Sequence, residues 1–106
     1  MDKYNDYHKA VLDDLLLDLP GVRPGKMFGY PAYFAGEKLS ICLYEEGVSV
    51  KVPAETVPML LEKDPHILPF QLMGRPKMRE WIQINLTRSE DYREYIKVFE
   101  GSIDLS

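Results

Sequence analysis

Lys38-Leu39-Ser40-Ile41-Cys42-Leu43-Tyr44-Glu45-Glu46-Gly47-Val48-Ser49-Val50-Lys51-Val52 reads as two β-strands joined by a tight turn, and this reading sets the fold class. Leu39, Ile41 and Leu43 alternate with Ser40, Cys42 and Tyr44, while Val48, Val50 and Val52 alternate with Ser49 and Lys51. A period of two sends successive side chains to opposite faces of a sheet, so one face packs inward and the other is wetter. Glu45-Glu46-Gly47 marks the turn, and Ala35-Gly36-Glu37-Lys38 marks an earlier one. With the aromatic and β-branched runs between them, residues 25–52 are expected to form an antiparallel meander.

Upstream, Tyr4, Tyr7, His8, Val11, Leu12, Leu15, Leu16 and Leu19 recur at three and four residue steps. That spacing predicts a helix with one apolar face and with Asp6, Asp13, Asp14 and Asp18 facing water. Pro20 and Gly21 are expected to stop it. Downstream, Val57, Leu60 and Leu61 predict a helix beginning near Thr56, although Pro58 removes a backbone donor from it. Residues 64–76 hold Pro65, Pro69, Gly74 and Pro76 and read as a long irregular surface connection. Ile82, Ile84 and Leu86 alternate with Trp81, Gln83 and Asn85 as the last strand. Thr87 and Glu90 form a capping-box signature before Tyr92, Tyr95, Ile96 and Phe99, predicting a final helix that ends near Gly101. The order helix, four strands, helix, strand, helix gives an α+β fold. It is a two-layer, single-domain arrangement over residues 1–106, with an antiparallel sheet of about five strands and flanking helices.

Composition narrows the function classes. The 106 residues carry 13 basic and 17 acidic side chains, a formal charge of −4, opposite to that of a dedicated phosphate-backbone binder. Cys42 is the lone cysteine, which excludes an intramolecular disulfide or a thiolate zinc site and fits a reducing compartment. No apolar run reaches the length of a membrane span, and the first residues lack a secretory signal, so a cytoplasmic protein is expected. No metal and no cofactor is called for.

Chemistry-bearing residues are few. His8, at the edge of the first helix's apolar stripe, reads as a structural imidazole, and His66 as a solvated loop residue. Cys42 reads as a small packed side chain rather than a nucleophile, since nothing local would ionise it. The segment Met73-Gly74-Arg75-Pro76-Lys77-Met78-Arg79 places three cations just before Trp81. With Phe70 and Trp81 as an aromatic platform and Arg23 and Lys26 as additions, Arg75, Lys77 and Arg79 form the candidate binding surface. The alternative is that these cations are solvated or neutralise Glu45, Glu46, Glu55 and Glu62.

Lys26-Met27-Phe28-Gly29, Tyr30-Pro31-Ala32-Tyr33-Phe34, the run from Leu43 to Val52, and Gly74-Arg75-Pro76-Lys77-Met78-Arg79-Glu80-Trp81 together resemble the TfoX N-terminal domain family over residues 5–100. The resemblance implies a bacterial stand-alone α+β domain, similar to type III secretion chaperones in architecture. It lacks the C-terminal domain of the competence regulators and carries no catalytic motif. Phe28 and Trp81 also have a structural reading as core or seam residues.

Three functions follow as expectations: a non-enzymatic interaction or regulatory module with a protein partner, a nucleic-acid accessory protein using the basic patch, or a small-ligand carrier or enzyme. The third would use a pocket between the sheet and the proline-rich connection, with His66 or Cys42 involved. An exposed sheet edge leaves room for a homodimer.

Overall fold

Residues 4–70 and 79–105 are described by the structure, a computed structural model. Asn5 opens helix α1 (Asp6–Leu16): its side chain accepts from the backbone N–H groups of Tyr7 at 2.8 Å and His8 at 3.1 Å. This satisfies donors that a helix N-terminus otherwise leaves orphaned. His8, Val11, Leu12 and Leu16 turn inward, whereas Tyr7 is 79% exposed. Tyr4 lies outside the helix, in an isolated bridge to Glu45. The helix also ends four residues before Pro20, so the proline does not set its end.

Among the described residues, six antiparallel strands follow in one sheet, ordered β1-β2-β3-β4-β6-β5. They are β1 (Val22–Met27), β2 (Tyr30–Ala35), β3 (Lys38–Tyr44), β4 (Gly47–Lys51), β5 (Ile67–Pro69) and β6 (Trp81–Ile84). The expected meander is therefore present as β1 to β4, starting three residues earlier than Gly25. Strand β5 is an addition: three residues inside the proline-rich connection pair with β6 in the register Ile67↔Ile84, Leu68↔Gln83, Pro69↔Ile82. Pro69 is tolerated because β5 is the edge strand and pairs on one side only.

The inner face is set by register. Ile41, Val50 and Ile82 stand in one cross-strand row, and Leu43, Val48, Ile84 and Ile67 in the next. All seven are buried, together with Leu12, Leu16, Tyr92 and Phe99 from the helical layer. Leu39 departs from the expected alternation. The register slips between Tyr33 and Phe34, pairing Tyr33 with Ile41 but Phe34 with Leu39, so Ser40 is an unpaired bulge residue and Leu39 leaves the core. Ser102 Oγ donates to the Ser40 carbonyl at 3.1 Å and ties the bulge to the helical layer.

Helix α2 (Val57–Lys63) follows a short 3-10 turn and begins at Val57, which places Pro58 in its first turn, where no intrahelical donor is lost. The last helical stretch is a 3-10 segment, Ser89–Tyr95, running into α3 (Ile96–Asp104). The capping box does not form: Arg88 occupies the cap position without a side-chain bond, and Glu90 instead accepts from Arg93 at 2.9 Å. Gly101 lies within α3 rather than ending it. Tyr92 anchors this stretch, its hydroxyl donating to the Ile84 carbonyl at 2.9 Å and accepting from the Leu86 N–H at 3.2 Å. Asp6, Asp14 and Asp18 face water as expected, Asp14 also pairing with Arg93 at 2.8 Å, whereas half-buried Asp13 accepts from Tyr33 and Lys9. No helix among the described residues is long and apolar enough to cross a membrane.

Candidate binding surface

The strands that bury Ile41, Val50 and Ile82 on one side present Ala32, Cys42, Ser49 and Gln83 on the other, again as one cross-strand row. These four small or polar side chains are buried even though the helices pack on the opposite face. Along the same face runs a continuous aromatic row. Successive ring centroids are 4.9 Å apart for Tyr30 and Tyr44, 5.4 Å for Tyr44 and Phe70, and 5.9 Å for Phe70 and Trp81. All three spacings lie in the range where aromatic pairs attract beyond simple area burial.

Of the residues expected to form one surface, Phe70, Trp81 and Arg79 come together. Arg79, Glu80 and Trp81 share a shallow hollow of about 310 Å3 with Lys51, which was not among the residues expected to form this surface. Lys51 is opposite Trp81 across the β4–β6 pair, which is information about register that one sequence does not carry. Neither Arg79 nor Lys51 forms an ion pair among the described residues. Arg23 and Lys26 do not join them. Both lie on β1, four strand spacings from β6, or roughly 19 Å. Arg23 is also occupied: Nε and Nη2 donate to the Gly36 carbonyl at 3.1 and 2.6 Å, and the guanidinium lies 5.8 Å from the Phe34 ring centre. Arg75 and Lys77 fall outside the described residues. Phe28 is neither core nor seam; it is 61% exposed at the β1–β2 turn.

Against the two central rings of the aromatic row, Tyr44 and Phe70, lies a cleft of about 370 Å3. Tyr44, Leu68, Pro69 and Phe70 give it apolar walls, Gln83 and Asn85 supply amides, and Glu45 and Glu46 supply carboxylates. It sits where a pocket between sheet and proline-rich connection was expected, but neither His66 nor Cys42 lines it. Gln83 is its distinctive member. Gln83 Nε2 donates to the Tyr44 carbonyl and to Asn85 Oδ1, both at 3.1 Å. Because the Tyr44 partner is a backbone carbonyl, the amide nitrogen must face it, which fixes the orientation of the amide. Gln83 Oε1 is then left buried with no hydrogen-bond partner among the described residues, a situation that costs about 1–3 kcal/mol. Gly47 makes the arrangement possible: a Cβ there would lie 2.7 Å from Gln83 Nε2 and 2.6 Å from the Ile84 carbonyl.

The remaining reactive groups are held structurally. Burial pushes the Cys42 thiol up to about 12, so it stays protonated at neutral pH. His8 is buried, with Nδ1 2.6 Å from Ser89 Oγ and its ring edge-on to Tyr92 at 4.7 Å. Burial lowers its basicity, opposed by the carbonyls of Glu46 and Leu86 and by the Glu46 charge. His66 is exposed beside β5. Among the described residues no group of three or more His, Cys, Asp or Glu side chains is arranged to hold a metal ion. Compared with known proteins, the chain matches no family model, no curated protein and no solved structure.

Proposed function

We propose that this chain is a non-enzymatic interaction module of the TfoX N-terminal type, working in the cytoplasm and docking a protein partner at the Trp81 end of the outer sheet face. The observation that carries this reading is the accessible end of the aromatic row, where half-buried Trp81, backed by the buried rings of Phe70 and Tyr44, stands beside Lys51 and exposed Arg79, two cations with no ion-pair partner among the described residues. Aromatic and arginine side chains at the centre of a patch are the groups that dominate binding energy at protein interfaces. The partner it fits presents a carboxylate at the Trp81 end, by charge complementarity. The family part of the reading is supported by the two sequence signatures, one at the β1–β2 turn and one entering β6. The non-enzymatic part is supported by the protonated Cys42 and the structurally bonded His8.

The test is tagged capture from host lysate, with and without nuclease, comparing the native chain with a Lys51→Glu, Arg79→Glu double variant whose folding is verified by circular dichroism. A partner that survives nuclease and is lost on charge reversal is the expected result. Capture indifferent to the reversal overturns the docking surface, and capture abolished by nuclease replaces the protein partner with nucleic acid.

A further inference from the structure

The cleft beside Glu45 and Glu46 has a chemistry opposite to that of the Trp81 end of the row. Its rim carries two carboxylates on a two-residue turn between the paired residues Tyr44 and Gly47. Gln83 lines it, nine-tenths buried, and its Oε1, itself buried, lacks a hydrogen-bond donor among the described residues. Its walls, Leu68 and Phe70, offer an apolar lining and an aromatic face. Acceptors without donors, negative charge and an aromatic wall are complementary to one kind of group: a cation that donates several hydrogen bonds at the end of an aliphatic stem. An anion is excluded by Glu45 and Glu46, and a purely apolar group would leave Gln83 Oε1 without a donor.

We propose that this cleft binds a guanidinium or ammonium group that donates to the Glu45–Glu46 rim and, as the Gln83 amide turns toward it, to Gln83 Oε1, with its stem against Leu68 and Phe70. The inference rests on the binding-module reading and names the group on the partner that it recognises. From Gly47 to Lys51, β4 covers four residue steps, on the order of 14 Å. An extended segment bearing a basic residue and, about four residues away, an acidic one therefore meets both ends of the surface.

The experiment is a titration of 15N-labelled protein followed by the Gly47 backbone amide and the Gln83 and Asn85 side-chain amides. The probes are N-acetyl-arginine amide, N-acetyl-norleucine amide, and a nine-residue peptide with one central arginine. Saturable shifts with the arginine probes, weakened about tenfold by Glu45→Gln with Glu46→Gln, are expected. Binding by the amide as well as the peptide identifies a small basic ligand as sufficient, whereas binding by the peptide alone identifies a basic protein segment; both sustain the proposal. Equal shifts from the norleucine amide, or none from any probe, overturn it. Lysate capture repeated with the Glu45→Gln, Glu46→Gln variant separates the two readings. If the cleft fails while the Lys51 and Arg79 surface still captures its partner, the docking reading stands without the cation site.

Discussion

Each strand of this sheet contributes to two faces built on different principles. Ile41, Val50 and Ile82 meet across β3, β4 and β6 on the inner face, and their neighbours in the chain, Cys42, Ser49 and Gln83, meet on the outer. Inside, branched apolar side chains pack against Leu12, Leu16 and Phe99 with little polar chemistry to satisfy. Outside, small and polar side chains are buried beside an aromatic row, and one amide oxygen has no partner among the described residues. The inner face is filled with apolar side chains that ask for no hydrogen bonds. The outer face instead leaves hydrogen-bonding capacity unused at a measurable cost, and such a deficit is what a ligand would repair.

The largest expected effect belongs to the inner face. Phe99→Ala removes a fully buried ring at the centre of the helical layer and is expected to cost about 3–5 kcal/mol in urea denaturation. Trp81→Ala on the outer face, where the ring is only half-buried, is expected to cost less while abolishing partner capture. Equal losses of stability would erase the distinction between the two faces.

Gly47→Ala probes the outer face by crowding. The added methyl collides with the Gln83 and Asn85 amides and with the Ile84 carbonyl, so a loss of about 1–3 kcal/mol is expected, with the cleft closed to the arginine probes. A neutral outcome would show that the Gln83–Asn85 pair is free to move and that its geometry does not define the site.

The two faces also differed in how far they were legible in the sequence. Val48, Val50 and Val52, like Ile82, Ile84 and Leu86, announce the inner face through alternation alone, because a buried strand face admits little else. Leu39 follows the same alternation but leaves the core, because one bulge at Ser40 shifts the register. Strand β5 was hidden by Pro65 and Pro69, which mark a loop in sequence terms, yet are harmless on a three-residue edge strand. The binding surface was legible only in part. Phe70, Arg79 and Trp81 flank one connection and were found together, while Lys51, Tyr44 and Gln83 joined them through strand order, and Arg23 was removed from them for the same reason. Cross-strand neighbours far apart in sequence leave no local pattern to read.

A pH comparison sharpens the contrast further. On the outer face, Cys42 ionises in the unfolded chain near its ordinary value of 9.0 but in the folded chain only near about 12. Its contribution is fully present below about pH 9 and is lost as pH rises, by at most about 1.4 kcal/mol over the first unit. In the helical layer, burial holds His8 below its ordinary 6.5, so its contribution is complete above that value and is lost as pH falls through the folded one. Denaturation midpoints between pH 5 and 10 are expected to fall at both ends, with Cys42→Ala flattening the alkaline limb and His8→Asn the acid one. An acid limb unchanged by His8→Asn would assign the loss to carboxylates instead.

The smallest expected effect is at the tip of the β1–β2 hairpin, and it has the opposite sign. Phe28 and Gly29 are the central residues of the turn, with φ of 50° and 84°. Positive φ at both positions is the signature of a type I′ turn, which suits the twist of a hairpin and favours Asn or Gly at the first position. A bulky aromatic there is strained, and at 61% exposure Phe28 gains little packing in return. Phe28→Asn is therefore expected to raise stability, by up to about 1 kcal/mol, measured by urea denaturation. If the gain appears and partner capture is unchanged, the strain has no bearing on docking. If the gain appears and capture weakens, Phe28 is a second contact at the far edge from Trp81, held in an unfavourable conformation because binding uses it. A loss of stability would instead show that the Phe28 ring packs on its neighbours more than its exposure indicates.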